Sequence, residues 1–218
     1  NLKSELTQDW ESNGWVNIGQ VTYIYDSNNN LTNELHQIKK SVELVNDIQY
    51  IYTYDANNNK TSFLEQVWIT YWVGNNMLYK WGNNSQLIYT YDSYNNMTSS
   101  LLQNWYLDSW VNVTKQTYSY DTNNNETNFL MLQWWSNGVG WANSARATYS
   151  YNANNELIAM FPEYWYNYTW QGYPISYSYD AHSNLISSIQ DNVSQITYNY
   201  DINNNLTSEL IQNWYVFG

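Results

Sequence analysis

Pairs of tryptophan residues flank short turns at three places in this chain, and they are its most promising groups for ligand binding. The pairs are Trp10/Trp15, Trp105/Trp110 and Trp134/Trp141. Indole faces stack on sugar rings, and neighbouring Asn, Gln and Asp side chains can bond to sugar hydroxyls. The same rings can instead pack on each other across a hairpin, which adds about 0.5–1.5 kcal/mol beyond burial. The spacing of the pairs therefore allows two interpretations: a platform that binds polysaccharide, or a ladder of packed rings with a purely structural role.

A second candidate is an Asp-x-Asn-x-Asn stretch that resembles the first half of a calcium-binding loop. Asp26, Asn28 and Asn30 would supply the first three oxygen ligands. A complete loop also needs a Gly and a final Glu, and those positions hold Leu31 and Gln37. The three residues are therefore weak metal ligands, and the sequence favours a turn closed by its own side chains. We expect no metal and no cofactor.

Asn-x-Ser/Thr motifs, the acceptors of N-glycosylation, are frequent in this Asn- and Thr-rich chain. Five of them share one position of a repeated segment: Asn30, Asn59, Asn96, Asn125 and Asn205. Four others lie elsewhere: Asn83, Asn112, Asn167 and Asn192. The shared position follows from repetition, so glycosylation depends on the host. An intact mass equal to that of the bare chain, 25.9 kDa, would exclude it.

Composition excludes several functional classes. The chain carries 19 acidic and 7 basic residues, a net charge of −12, so we expect no nucleic-acid partner. It has no Cys, which rules out disulfides and thiol catalysis. No apolar run approaches the ~20 residues of a membrane-spanning helix, and we expect no membrane insertion. His36 and His182 occupy unrelated positions, and no catalytic triad spacing is present. The chain is predicted not to be an enzyme.

The elements that hold these residues follow from an internal repeat. The tag Tyr-x-Tyr-Asp recurs, followed each time by an Asn-rich turn and a Leu-Thr segment. The tags cover residues 23–26, 52–55, 89–92, 118–121, 149–152, 177–180 and 198–201, with Asn152 replacing Asp in the fifth. Residues 1–218 are therefore predicted to form one repeat-array domain of about seven units.

Each half of the repeat has the alternation of a β-strand. Tyr, Thr, Val, Ile and Trp dominate, and these residues suit a pleated, half-buried surface. If Tyr25 pairs with Leu31 across the turn, Tyr23 pairs with Asn33 and Val21 pairs with Leu35. The Tyr and Leu positions would then share one face of the sheet.

The predicted fold is all-β, an antiparallel meander of roughly fifteen strands with almost no helix. The connections are too short for parallel crossovers. Asn-rich turns would lie along one edge and Trp-flanked turns along the other, in a long twisted or spiralling, solenoid-like sheet. Closure into a barrel and folding into two layers remain open. Residues 160–175, which hold both prolines, are predicted to contain a bulge or a longer loop.

The tag, its Asn-rich turn and the Leu-Thr strand resemble the YD repeat of RHS-type proteins over most of the chain. The resemblance implies strand–turn–strand units in a long, spiralling antiparallel sheet. The chain departs from the family at Asn29, Asn58 and Asn124, where YD repeats usually have Gly, and it shows no core or toxin segment. It also resembles Asn- and Tyr-rich repeat arrays in secreted proteins of Bacteroidota-like bacteria, which implies export.

The sequence therefore predicts an extracellular or bacterial cell-surface structural protein, a fibre subunit or adhesin segment. Strands 2–10 and 206–214 would be sheet edges capable of self-association. Two alternatives stay open: a carbohydrate-binding module with polysaccharide on its Trp and Tyr ladders, and a fragment of an RHS-type shell.

Overall fold

The computed structural model describes residues 1–135, 140–191 and 193–214, and within these residues it contains strands and turns but no helix. The sixteen strands are β1 (Ser4–Glu11), β2 (Gly14–Tyr25), β3 (Leu31–Lys40), β4 (Glu43–Tyr54), β5 (Lys60–Val73), β6 (Asn76–Tyr91), β7 (Met97–Tyr106), β8 (Ser109–Tyr120), β9 (Glu126–Trp135), β10 (Gly140–Tyr151), β11 (Leu157–Tyr166), β12 (Thr169–Gly172), β13 (Ile175–Tyr179), β14 (Leu185–Gln190), β15 (Ser194–Tyr200) and β16 (Leu206–Asn213).

The strands form an antiparallel meander in chain order, which confirms the predicted fold class. Only β12 lies off this path, because it pairs with β11 alone. β13 also pairs with β11, in the same register as β12, so β12 and β13 are two pieces of one strand. The chain divides into two compact units, residues 1–115 and 116–218. No helix in the described residues is long and apolar enough to cross a membrane.

The register across the Asn-rich turns differs from the prediction by one residue. Tyr25 does pair with Leu31, but Tyr23 pairs with Glu34 and Val21 pairs with His36. The shift arises because Thr32 is an extra residue in β3, and a bulged residue moves every later side chain to the other face. The predicted common face of Tyr and Leu is therefore wrong beyond the first pair. The same shift recurs before the final Tyr of later tags, at Tyr54, Tyr91, Tyr151, Tyr179 and Tyr200.

The last Tyr of the tag joins successive repeats. The hydroxyl of Tyr54 donates to the carbonyl of Leu31, 2.9 Å away, in the preceding hairpin. Tyr91 donates to Lys60 in the same way, at 2.8 Å. Equivalent bonds are made by Tyr151, Tyr179 and Tyr200. For Tyr54, Tyr91, Tyr179 and Tyr200 the acceptor is the residue just before a bulge, so the bulge and the tyrosine form one recurring contact.

The aspartate of the tag closes its turn. Asp26 Oδ1 accepts the backbone N–H groups of Asn28 and Asn30 at 2.8 and 2.9 Å, and its Oδ2 accepts the Asn30 side chain at 3.0 Å. Asn29 has a φ of 67°, in the left-handed region that Asn tolerates, so it stands where YD repeats have Gly. In the fifth turn, Asn152 replaces the Asp and Glu156 replaces the last Asn, so the Asn152 side-chain amide donates to the Glu156 carboxylate at 2.5 Å.

These turns make stability depend on pH. Hydrogen bonds from the Asn30 side chain and backbone lower the pKa of Asp26. The pKa values of five equivalent carboxylates are lowered too: Asp55, Asp92, Asp121, Asp180 and Asp201. A depressed folded-state pKa contributes stability above the unfolded value, near 3.9, which is lost as pH falls through the folded values. We expect the urea midpoint, followed by circular dichroism, to be flat between about pH 5 and 7 and to fall below about pH 4. An unchanged midpoint at lower pH would contradict this.

A conventional hydrophobic core is missing from the described residues, where Ala145 and Ala147 are the only buried hydrophobic side chains. Most strand residues on both faces are half-buried instead. Cross-strand neighbours such as Tyr50 and Phe63, with ring centroids 5.5 Å apart, supply the packing. Side chains on both faces therefore remain accessible to a partner.

The Pro-containing stretch departs from its prediction. The strand is interrupted at Tyr173 and Pro174, but Glu163 pairs with Gly172 and Met160 with Ile175 in one unchanged register. The predicted bulge or longer loop is therefore wrong. The ladder is broken because Pro174 lacks the N–H group that a strand residue would donate.

Candidate functional site

The structure brings together the two rings of every Trp pair singled out in the sequence. Each pair is edge-to-face, with centroids 5.3 Å apart for Trp10/Trp15, 4.9 Å for Trp105/Trp110 and 5.2 Å for Trp134/Trp141. Two further pairs have the same geometry, Trp68/Trp81 at 5.0 Å and Trp165/Trp170 at 5.1 Å. The sequence reasoning missed Trp165/Trp170 although its five-residue spacing equals that of Trp10/Trp15.

In the first unit, an amide pair accompanies the Trp pairs. Gln8 lies two residues before Trp10, on the same face of β1, and its Nε2 donates to Asn17 Oδ1 at 2.8 Å. The same arrangement recurs in two more hairpins: Gln66 with Asn83 at 2.7 Å beside Trp68, and Gln103 with Asn112 at 2.8 Å beside Trp105. Gln37 and Asn46 form an amide pair at 3.0 Å in a hairpin without tryptophan. We call this surface of residues 1–115 the Trp–amide face.

The Trp–amide face has the chemistry of a sugar-binding surface. Indole rings offer flat apolar area, and each primary amide offers both a donor and an acceptor, as hydroxyl groups require. The rings are open to solvent to different degrees. Trp10 and Trp15 are 62% and 65% exposed, whereas Trp105 and Trp110 are half-buried.

A groove opens on this face where neighbouring hairpins separate. Pairing between β4 and β5 ends at Ile48 and Val67, so the two strands are not bonded to each other beyond that point in the described chain. The space, about 620 Å³, is lined on one side by the Gln37 and Asn46 amides and on the other by Trp68 and Tyr79. The Trp68 and Tyr79 rings are parallel, with centroids 6.2 Å apart. A pocket of this size and lining suits a small ligand or a short stretch of a chain.

Trp134 and Trp141, in the second unit, have different neighbours from the Trp pairs of the first unit. Trp141 is half-buried rather than exposed, and so is Trp134. The cross-strand pair two residues further from the turn is Leu132 with Asn143, so an apolar side chain stands where the first unit has glutamine. Asn143 therefore lacks the cross-strand glutamine that completes the amide pair in the first unit. This arrangement favours ring packing at Trp141, and the pair is not part of the Trp–amide face.

The last Trp pair of the second unit has an ion pair in place of the amide pair. Glu163 lies two residues before Trp165, where Gln8 lies before Trp10, but its cross-strand neighbour is Gly172 and has no side chain. Arg146, from β10, donates to both Glu163 oxygens at 2.5 and 2.8 Å. The Arg146 guanidinium also lies 4.5 Å from the Trp170 ring centroid. Hydrogen bonding to Glu163 raises the pKa of Arg146, and the two hydrogen bonds hold the ion pair together.

The structure also places the other predicted site residues. Both carboxylate oxygens of Asp26 accept hydrogen bonds inside the turn, from Asn28 and Asn30. In the described residues no group of three or more His, Asp or Glu side chains is arranged to hold a metal ion. Of the sequon residues, Asn192 lies outside the described residues.

Sequon asparagines at the repeated position already use their side-chain amides. Asn30 Nδ2 donates to Asp26 at 3.0 Å and to Asn58 of the next turn at 2.8 Å. Asn59 and Asn125 make the same pair of bonds within their own units. A glycan attached to Nδ2 removes one of its two hydrogens, so at most one of the two bonds would survive. Asn96 and Asn205 also donate to the aspartates of their turns.

Comparison with known proteins does not place this chain in a family. No family model matches it, and no curated protein matches it. A crystal structure of a protein of unknown function from Bacteroides fragilis is similar at 16% identity and a TM-score of 0.42, over 60% of this chain and 91% of that one. The TcdB2-TccC3-Cdc42 complex is similar at 13% identity and a TM-score of 0.45, over 93% of this chain but 12% of that one.

A DUF3836 family protein from Bacteroides vulgatus is similar at 22% identity and a TM-score of 0.29, over 48% of this chain and 96% of that one. Identities and TM-scores this low do not establish relationship or activity. The YD repeat therefore remains a resemblance carried by the tags themselves.

Proposed function

We propose that this chain is an adhesin segment of a bacterial cell surface, a non-enzymatic repeat array that binds neutral polysaccharide on its Trp–amide face. The recurrence of one Trp pair beside one amide pair in three hairpins is the observation that carries this proposal. Resemblance to repeat arrays of secreted Bacteroidota-like proteins supports the extracellular location.

The repetition of the motif fits a polymeric ligand better than a single small molecule. Successive hairpins are two strands apart, about 9.6 Å at the usual strand spacing, so equivalent rings recur across the sheet. A chain of sugar rings is itself periodic and can contact several equivalent positions at once. Once one sugar of the polymer is bound, the next sugars are held at a high effective concentration near the next rings. Several weak contacts therefore give a higher overall affinity.

Charge supports a neutral polymer. The Gln–Asn pairs of the Trp–amide face are uncharged, while the whole chain carries −12. Long-range repulsion would weaken the association of an anionic polysaccharide at low salt. Hydroxyl groups of a neutral polymer match the amide donors and acceptors without bringing further charge.

The test is retention on insoluble neutral polysaccharides with the variant Trp105→Ala/Trp110→Ala. This variant removes one stacking platform and leaves the Gln103–Asn112 amide pair in place. We expect about a tenfold loss of affinity, because the variant removes two rings that are worth roughly 0.5–1.5 kcal/mol each. Far-UV circular dichroism checks that the sheet is intact.

The matched control is Tyr106→Ala. Tyr106 follows Trp105 in β7, so it points to the opposite face, and it is 64% exposed. This variant should bind like the original chain. Absence of retention on every neutral polysaccharide, or equal loss in both variants, would reject the proposal.

A structural fibre role is the second candidate, and the exposed edges favour it. All eight residues of β1 and all eight of β16 are exposed, and each strand pairs on one side only in the described chain. An unpaired edge is a template for another strand. We expect the 218-residue chain to form filaments visible by electron microscopy at high concentration. A variant with Pro at Thr7 and Thr207 should stay monomeric, and persistent monomers of the original chain would reject this role.

A further inference from the structure

One hairpin is much longer than the others. In the first hairpin, a single residue pair, Glu11 with Gly14, lies beyond Trp10 and Trp15. In the β5–β6 hairpin, five pairs lie beyond Trp68 and Trp81, ending with Val73 and Asn76. This is an extension of about 17 Å at roughly 3.4 Å per residue. We call residues 68–81 the long arm.

The tip of the long arm exposes apolar side chains. Trp72 is 67% exposed, Val73 55%, Met77 48%, Leu78 41% and Tyr79 50%. In the described chain this part of β5 pairs only with β6, and residues 76–84 of β6 pair only with β5. A two-stranded hairpin is marginally stable by itself, and exposed apolar patches usually have a partner.

Both faces of the tip are apolar, and this decides the kind of partner. Tyr71 and Leu78 are directly opposite and share one face, while Trp72 and Met77 share the other. A protein groove or a sugar chain that covered one face would leave the other in water. A lipid surface surrounds an inserted tip and covers both faces together.

The charge distribution fits the same partner. No Asp or Glu occurs between Glu65 and Asp92, although the chain has 19 acidic residues. Lys80 lies with its Nζ 5.1 Å from the Tyr71 ring centroid, behind the tip. Trp and Tyr are the residues enriched at membrane–water interfaces, and a lysine at that level can reach the lipid phosphate.

We propose that the long arm inserts its tip into the interfacial zone of a lipid bilayer. Insertion stops at the boundary between headgroups and acyl chains, because the outer edges of both strands carry unpaired peptide groups that need water. The sequence led us to expect no membrane insertion because it has no long apolar run, and the proposed insertion of the tip departs from that expectation. This contact adds a second attachment to the proposed polysaccharide-binding surface and does not depend on it.

Flotation of the full chain with phosphatidylcholine vesicles tests the proposal. The original chain should float with the vesicles, since a zwitterionic surface does not repel its net negative charge. Trp72→Ser/Leu78→Ser removes one side chain from each face of the tip and should lower the partition coefficient at least about tenfold. Val73→Asp adds a carboxylate next to the turn without removing an aromatic ring, and it should also abolish flotation.

The matched control is Leu107→Ser/Trp135→Ser, which removes one exposed Trp and one exposed Leu outside both the long arm and the Trp–amide face. It should float like the original chain. Failure of the original chain to float overturns the proposal, as does equal flotation of the tip variants. A lipid-free dimer that the tip variants abolish would also overturn it, in favour of a contact between proteins.

Discussion

Gly172→Ala should be the most damaging single-methyl change in this chain. A Cβ at Gly172 would overlap the carbonyl oxygen of Pro162 and lie 2.9 Å from the Cα of Glu163. Both obstacles are backbone atoms, so no side chain can rotate away, and β11 and β12 would have to separate. We expect a loss of about 3 kcal/mol in the free energy of unfolding, measured by urea denaturation followed by circular dichroism.

Gly19→Ala is the matched control for this substitution. Gly19 is also in a strand, but the nearest atom to its added Cβ is the Gln37 carbonyl oxygen at 3.5 Å, an ordinary contact. Stability should be unchanged or slightly higher, because alanine has less conformational freedom in the unfolded chain. If both variants were equally stable, the close approach of the two strands at Gly172 would be refuted.

The same close approach explains why sequence reasoning misjudged residues 160–175. Two prolines predicted a bulge, since proline cannot donate to a ladder. In the structure, the missing donor at Pro174 interrupts the pairing, while Gly172 keeps the register by letting β12 approach β11. Composition shows that a strand is weakened there, but only the folded structure shows which backbone atoms meet.

Local pattern was sufficient to predict the strands and the turns. Alternation and the Tyr-x-Tyr-Asp tag identify strands on either side of each Asn-rich turn, and the meander follows from short connections. Alternation did not predict the bulge at Thr32. With or without one extra residue, each face of the strand carries a mixture of side chains that suits a half-buried sheet. Its effect is large, since it moves Leu35 to the face opposite Leu31.

The contacts of the candidate site depend on the register within each hairpin. Gln8 and Asn17 are nine residues apart and lie opposite each other in the same register as Trp10 and Trp15, just before the register shift of this hairpin. The long arm did have a sequence signal, because Asp55 and Asp92 are 37 residues apart while Asp26 and Asp55 are 29 apart. The extra length alone does not show that both faces of the arm are exposed.

Trp141 illustrates the same dependence on register. Its spacing from Trp134 correctly predicted that the two rings meet across a turn. The sequence also has a glutamine near this pair, Gln133, but that residue lies directly beside Trp134 and pairs with Ala142. Since successive side chains point to opposite faces, Gln133 lies on the face away from the rings. The amide on the face of the rings is therefore Asn143, whose cross-strand neighbour is Leu132 and not a glutamine.

Arg146→Ala should have the second-largest effect, because it leaves a carboxylate without its partner. The Glu163 side chain is 7% exposed, and Arg146 donates to both of its oxygens. Removing one member of a buried ion pair costs about 3–5 kcal/mol. The Arg146 side chain is 40% exposed, so water can partly replace it, and we expect a loss in the free energy of unfolding that is smaller than for a fully buried pair. Urea denaturation followed by circular dichroism measures it.

The double variant Arg146→Ala/Glu163→Gln separates the charge from the packing. Other hairpins have Gln at this position, as Gln8 and Gln103 show, so the neutral amide suits the site. If the uncompensated charge is the cause, the double variant should be more stable than Arg146→Ala alone. If the stacking of Arg146 on Trp170 is the cause, the two variants should be equally unstable, and the assignment of a charge-driven role to Arg146 would be wrong.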